Sequence, residues 1–193
     1  MAQNANVTEL LRELSNANTR GASGVYDEVF ALVYGQMRQL AAKQLHRERP
    51  GHTISPTVLV HEAYLKLVDQ TSATFKSRAH FLSVAALAMR RILINHASSR
   101  AAKKRGGGER VFTFDDALMA GPARAEATEL LALDQLISRF AVNHDRASRV
   151  VVFRLYGGLT DKEIAEVTEV SVPTVRRDWR FARAWLTKEL AAP

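Results

Sequence analysis

A chain of 193 residues with no cysteine and a formal net charge of +7 can hold one or two domains with modest cores. It excludes a disulfide framework and thiolate metal sites. The 27 Lys and Arg against 20 Asp and Glu, with a pI near 10.0, favour an anionic partner, most simply nucleic acid; charge by itself leaves a membrane surface open. Met1 to Asn6 is polar and lacks the basic-then-apolar signature of a signal peptide. The longest apolar run, Phe81 to Met89, contains Ser83, ends at Arg90-Arg91 and is too short to span a bilayer. The expectation is a cytoplasmic protein with no membrane partner.

In chain order, Val7, Leu10, Leu11 and Leu14 predict a short amphipathic helix closed by Gly21-Ala22-Ser23-Gly24. A second stripe follows in Val25, Val29, Phe30, Val33, Met37, Leu40 and Ala41, and His46 to Gly51 is a polar stop. Ser55-Pro56-Thr57 predicts the next start, a capping Ser followed by Pro at the first helical position. Leu59, Ala63 and Leu67 repeat every four residues from there, beside Val60, Tyr64 and Val68, with His61, Glu62, Lys66 and Asp69 on the other face. A long helix from about His80 to Ser99 has Phe81, Val84, Ala85, Ala88, Ile92 and Leu93 inward. Gly106-Gly107-Gly108 then opens an aperiodic stretch, to about residue 125, that reads as a linker; Val111 to Phe114 has no evident partner strand. Helical pattern resumes with Leu130, Leu131, Leu133, Leu136, Ile137 and Phe140, then Val150 to Tyr156.

The last stretch carries the most local information. Thr160 and Glu163 have the spacing of a capping box, and Ile164, Ala165 and Val167 give the following short helix an apolar face. After a tight turn, Ser171 can cap a second helix with Pro173 in its first turn. Val172, Val175, Trp179 and Ala182 recur at helical spacing and leave Thr174, Arg176, Arg177, Arg180 and Arg183 outward, with Asp178 as the opposing charge. An apolar-backed helix with an Arg-rich front suits the DNA major groove; a solvated basic helix in an ordinary bundle is the plainer alternative. A second basic cluster comprises Arg90, Arg91, Asn95, Arg100, Lys103, Lys104 and Arg105, preceded by Phe75, Lys76, Arg78, His80 and Phe81. Cations with aromatic residues suit single-stranded or partly melted DNA, although Phe81 taken alone reads as core.

Catalytic chemistry has little support. His61-Glu62 begins like a zinc-protease motif, but Leu65 stands where the second ligand belongs. The other histidines, at 46, 52, 80, 96 and 144, lack ligand spacing. Gly106-Gly107-Gly108 lacks the Lys-Ser/Thr of a phosphate-binding loop. The expectations are no enzyme, no cofactor and no metal.

Together these stretches resemble a bacterial RNA polymerase sigma factor of the sigma-70 family, extracytoplasmic-function type. Ser55 to Leu67 looks like region 2.2, which grips the polymerase clamp; Arg78 to Leu93 with Lys104 to Gly107 look like regions 2.3 and 2.4, which open and read the −10 element; Thr174 to Leu186 is similar to region 4.2, which reads the −35 element. The resemblance implies an all-α protein of two small helical domains on a flexible linker: an extension at 1–20, a sigma2-like domain at 21–105, a linker at 106–125 and a sigma4-like helix-turn-helix domain at 126–190. It further implies the polymerase core (beta′ clamp and beta flap) and promoter DNA as partners, with no obligate homo-oligomer. Leu59, Val60, Glu62, Ala63, Lys66 and Leu67 would dock polymerase. Arg78, His80, Arg90, Arg91, Asn95, Arg100, Lys103, Lys104 and Arg105 would engage the −10 element, and Ser171, Thr174, Arg176, Arg177, Arg180 and Arg183 the −35 element.

One departure stands out. The family usually has an acidic group, of Asp-Ala-Glu-Asp form, just before the position of Leu59-Val60; here Ser55-Pro56-Thr57-Val58 stands there. The hypothesis is that a Ser/Thr protein kinase phosphorylates Thr57 (Ser55 being the neighbouring candidate) and so supplies the missing anion at a helix N-terminus. The alternative is that Ser55 is the cap and Thr57 a first-turn residue. Two rival functions stay open on the sequence: a stand-alone helix-turn-helix regulator that binds an operator, and a basic helical module for RNA or a membrane surface.

Overall fold

The structure is a computed structural model that describes residues 31, 34, 35, 37–42, 54–68, 75–103 and 127–191. Helix is the only regular element among the described residues. After a helical segment at 37–42, five helices follow: α1 (Pro56–Val68), α2 (Arg78–Lys103), α3 (Ala127–Leu155), α4 (Asp161–Thr168) and α5 (Val172–Leu190). The all-helical expectation holds. The extension at 1–20, the linker at 106–125, Lys104 and Arg105 lie outside the described residues.

Each start is chemically marked. Ser55 Oγ accepts from Val58 N–H at 3.2 Å, so Ser55 is the cap that opens α1, and Pro56 needs no partner in the first turn. Helix α2 begins two residues earlier than the hydrophobic pattern suggests because Ser77 Oγ accepts from His80 N–H at 3.2 Å. It also runs past Ser99 to Lys103, through Ala101 and Ala102, which favour helix without needing a buried partner.

Helix α3 joins the two apolar segments of the sequence across a kink at His144 (φ −139°, ψ 51°). Aromatic rings brace that kink. Phe140 lies 5.4 Å from Phe181 and 5.0 Å from Trp185, and His144 meets Phe181 edge-on at 4.8 Å. These contacts account for Phe181 on α5, which remains 45% exposed.

One contiguous core passes through all these elements, from Met37 and Ala41 to Val175, Ala182 and Leu186. Helix α2 is the hub: it packs on α1, on α3 and on α4, while α5 packs on α3 and α4. Small residues let the chain approach closely there. Ala86 on α2 faces Gly157, just after α3, where a built Cβ would stand 2.9 Å from the Ala86 methyl. Two ion pairs rim the junction: Arg90 with Asp134 (2.7 Å), and Arg78 with Glu163.

Candidate nucleic-acid interface

Helices α4 and α5 form the helix-turn-helix that the local sequence predicts. Thr160 Oγ1 accepts from Glu163 N–H (3.4 Å), and Glu163 Oε2 accepts from both the N–H and the hydroxyl of Thr160 (2.8 Å each). That is a complete capping box. The turn is made by Glu169, a non-glycine residue at φ 56°, with Val170 N–H returning to Ala165 C=O at 3.1 Å. Ser171 Oγ then caps α5 by accepting from Thr174 N–H at 3.3 Å. The two hydroxyls of Ser171 and Thr174 also bond each other at 2.9 Å. Val175, Ala182 and Leu186 are fully buried behind α5, with Val172 and Trp179 partly so.

The front of α5 presents Arg176, Arg177, Arg180 and Arg183, all exposed. Asp178 is not on that front. It is 7% exposed, and both its oxygens accept from Arg146 of α3, at 2.6 and 3.2 Å. The face is therefore more purely cationic than the sequence suggests. The bidentate pair fixes how α5 sits on α3, since an unpaired carboxylate at that depth is strongly disfavoured. Among the described residues Arg176 pairs with Asp161: its Nε donates to Asp161 Oδ2 at 3.1 Å.

The second basic cluster divides. Arg91 and Asn95 are exposed and Arg100 half-exposed along α2; Lys103 is its last residue. Arg90 instead points across the junction: Nε donates to Asp134 Oδ1 (2.7 Å), and Nη2 to the Asp134 carbonyl (3.4 Å) and Ser138 Oγ (3.1 Å). Leu87, Arg90, Arg91, Ile94, Asn95 and Asp134 line a shallow groove there. Arg78 donates to Glu163. Phe75 and Phe81 are 1% and 4% exposed and meet edge-on at 5.1 Å. Phe81 is core, as its helical spacing predicts, and Phe75 is core beside it, so neither ring is free to stack on a base. His80 is half-buried, and its Nδ1 accepts from Lys76 N–H at 3.2 Å. Burial and then Lys76 lower its pKa below 6.5, so the ring is neutral at pH 7 and adds no cation to the face.

On α1, Leu59, Val60 and Ala63 are 0% exposed and Leu67 is 3% exposed. Those side chains hold α1 on α2 and support whatever the helix presents; they do not present themselves. The outward face is Val58, His61 and Leu65, with Leu65 62% exposed. Glu62 and Lys66 are half-exposed, and Glu62 meets His96 Nε2 at 3.3 Å. Thr57 is half-buried in a first turn that contains no acidic residue.

Sequence reading missed the partners of the arginines. Asp134, Glu163, Asp161 and Asp178 each neutralise a guanidinium from another helix, and only Glu163 carries a local signal, through the capping box. Burial by itself would raise the Glu163 pKa, but the Thr160 N–H and hydroxyl and the Arg78 guanidinium outweigh it and hold the carboxyl below 4.5. A lowered carboxyl pKa means the stability it supplies is complete above the unfolded value and lost as pH falls through the folded one. The melting temperature is expected to drop on acidification below about pH 4.5, and Glu163→Gln to flatten part of that drop in a thermal-melt series.

No group of three or more His, Asp or Glu side chains among the described residues is placed to hold a metal. No helix among them is long and apolar enough to cross a membrane. The family model described as ECF sigma factor matches residues 4–192. No curated protein matches the chain, and no solved structure does.

Proposed function

Because the chain belongs to the ECF sigma factor family, we propose that it gives RNA polymerase its promoter specificity by two DNA contacts, α5 on the −35 element and the exposed face of α2 on the −10 element. The family binds polymerase core and promoter DNA and is not catalytic. The observation that carries the reading is the doubly capped helix-turn-helix with four exposed arginines on one face of α5. Helix N-terminal residues reach base edges and arginines along the helix hold backbone and bases. Among the described residues, Arg91, Asn95 and Arg100 form the accessible part of the −10 face.

Val58, His61, Leu65 and the half-exposed Glu62 and Lys66 form the polymerase-facing side of α1. Leu65 is a large apolar side chain that is mostly exposed, which supports a docking surface. Thr57 sits beside that surface. Its phosphorylation would place about −1.5 to −2 charges at a helix start that lacks any acidic residue, where the helix dipole favours an anion. The Ser55 hydroxyl is already occupied as the cap, which favours Thr57 as the modified residue.

The packed arrangement is a closed one. Elements centred about 25 base pairs apart, as their names state, lie about 85 Å apart at about 3.4 Å per pair. Yet α4, eight residues and about 12 Å long, touches both α2 and α5. Engaging both elements at once requires the α2 junction to part, releasing Arg78 and Arg90 from Glu163 and Asp134. Separation by polymerase, with the 106–125 segment as tether, is the coherent route.

In vitro transcription from a selected promoter tests the reading. Core polymerase plus the chain should initiate where core does not. Arg177→Ala with Arg180→Ala should lower output by about tenfold or more, and Thr57→Glu should exceed Thr57→Ala by a similar factor. Equal output from the two Thr57 variants would remove the phosphorylation step, and promoter-selective binding without core would favour a stand-alone regulator.

A further inference from the structure

We propose that Asp161 is a positioning residue that aims Arg176 at a guanine in the upstream promoter element. The inference rests on the reading that α5 enters the major groove, and it adds which base is read and how.

Asp161 opens α4 and bridges two guanidinium groups. One oxygen accepts from Arg154 at the end of α3; the other accepts from Arg176 Nε at 3.1 Å. Arg154 is itself fixed, its guanidinium carbon 4.6 Å from the centre of the Trp179 ring. Trp179 lies on α5, one turn from Arg176, so the chain of contacts closes on itself across three helices. Asp161 and Arg154 are 23% and 27% exposed, whereas Arg176 is 66% exposed. The carboxylate is thus sheltered and anchored, and the arginine it holds reaches into solvent.

Which nitrogen is held matters. An arginine has five N–H donors in a planar fork. Tying Nε sets the plane of the fork and leaves both terminal nitrogens available. Two parallel donors in one plane match the O6 and N7 acceptors of guanine in the major groove, the commonest specific arginine–base contact. An untethered arginine at this site would find phosphates as readily as bases, adding affinity without discrimination. A tethered one loses less rotamer freedom on binding and favours one target position. Arg177 and Arg180 have no carboxylate partner among the described residues, so the device distinguishes Arg176 from them. The carboxylate also faces two cations, which offsets its repulsion of nearby DNA phosphates.

The test uses full-length chain assembled with core RNA polymerase, binding a duplex library randomised across both promoter elements, with bound DNA sequenced. Wild type should favour guanine at one upstream position by about tenfold or more. Arg176→Ala should abolish that preference. Asp161→Asn should reduce it to about threefold or less at that position alone, with preferences elsewhere unchanged. If Arg176→Ala removes the guanine preference while Asp161→Asn leaves it intact, the positioning role is wrong and the promoter reading stands. If Asp161→Asn weakens every position together with a lower melting temperature, the residue is only a fastening of α4 to α5. If neither Arg176→Ala nor Arg177→Ala with Arg180→Ala changes any upstream preference, the promoter reading of α5 itself fails.

Discussion

Asp134→Ala combined with Glu163→Gln is expected to tighten binding of the full chain to core RNA polymerase by about tenfold. In the closed arrangement Arg90 makes three hydrogen bonds to α3, and the Arg90 and Asp134 side chains are only 19% and 21% exposed. Hydrogen bonds to charged groups at such depth contribute about 1.5–3 kcal/mol, less what solvent screening removes. A binder whose competent form is a fraction of the population shows an apparent Kd raised by that fraction. Loosening the closed form by about 1.4 kcal/mol therefore improves apparent affinity about tenfold. Gln at 163 keeps the reciprocal bond to the Thr160 N–H, so the helix-turn-helix is preserved while the Arg78 ion pair is lost. A titration of labelled chain with core, read by anisotropy, gives the affinity; donor and acceptor dyes on α2 and α3 give the separation. An unchanged Kd alongside an increased separation would show that closure does not compete with polymerase.

The helix-turn-helix was legible because its determinants are local. Thr160 with Glu163, and Ser171 with Pro173, act within one turn of where they stand, and the structure has both caps. The α1 stripe is legible as a stripe, but its spacing is the same for a core face as for the docking face that the resemblance implies. Leu59, Val60, Ala63 and Leu67 point inward, and one face of a helix cannot do both; the exposed partners, Val58, His61 and Leu65, follow once the core is assigned. Phe75 and Phe81 illustrate the same ambiguity, since rings among basic residues look alike whether they stack on bases or on each other. The junction was not legible. Arg90 with Asp134 spans 44 residues and Arg78 with Glu163 spans 85, and a charge pair at such separation leaves no periodicity. Asp178, taken as the counter-charge on the Arg-rich front, turned inward because Arg146 on α3 supplies a partner that spacing on α5 cannot reveal.

Gly157→Ala is expected to lower the melting temperature by about 4–12 °C and to weaken promoter binding with it. The glycine lies where α3 ends and the chain turns toward α4. Phe153 C=O accepts there from both Gly157 N–H and Leu159 N–H, at 3.1 Å each. A Cβ at 157 would stand 2.6 Å from that same carbonyl oxygen, 2.5 Å from Leu159 Cδ1 and 2.9 Å from the Ala86 methyl. The leucine can swing aside, but the carbonyl cannot without giving up two hydrogen bonds. Added methyls in a packed core cost about 1–3 kcal/mol, and backbone obstruction puts this one toward the upper end. In a chain of this length each kcal/mol moves the melting temperature by about 2–4 °C. Ala86→Gly separates the two parts of the strain. Placed in the Gly157→Ala background, it relieves only the contact with α2, so a small recovery locates the damage in the turn, and full recovery would locate it at the junction. Thermal melts of the four proteins close that cycle, and a Gly157→Ala chain that melts as wild type does would refute the packing argument.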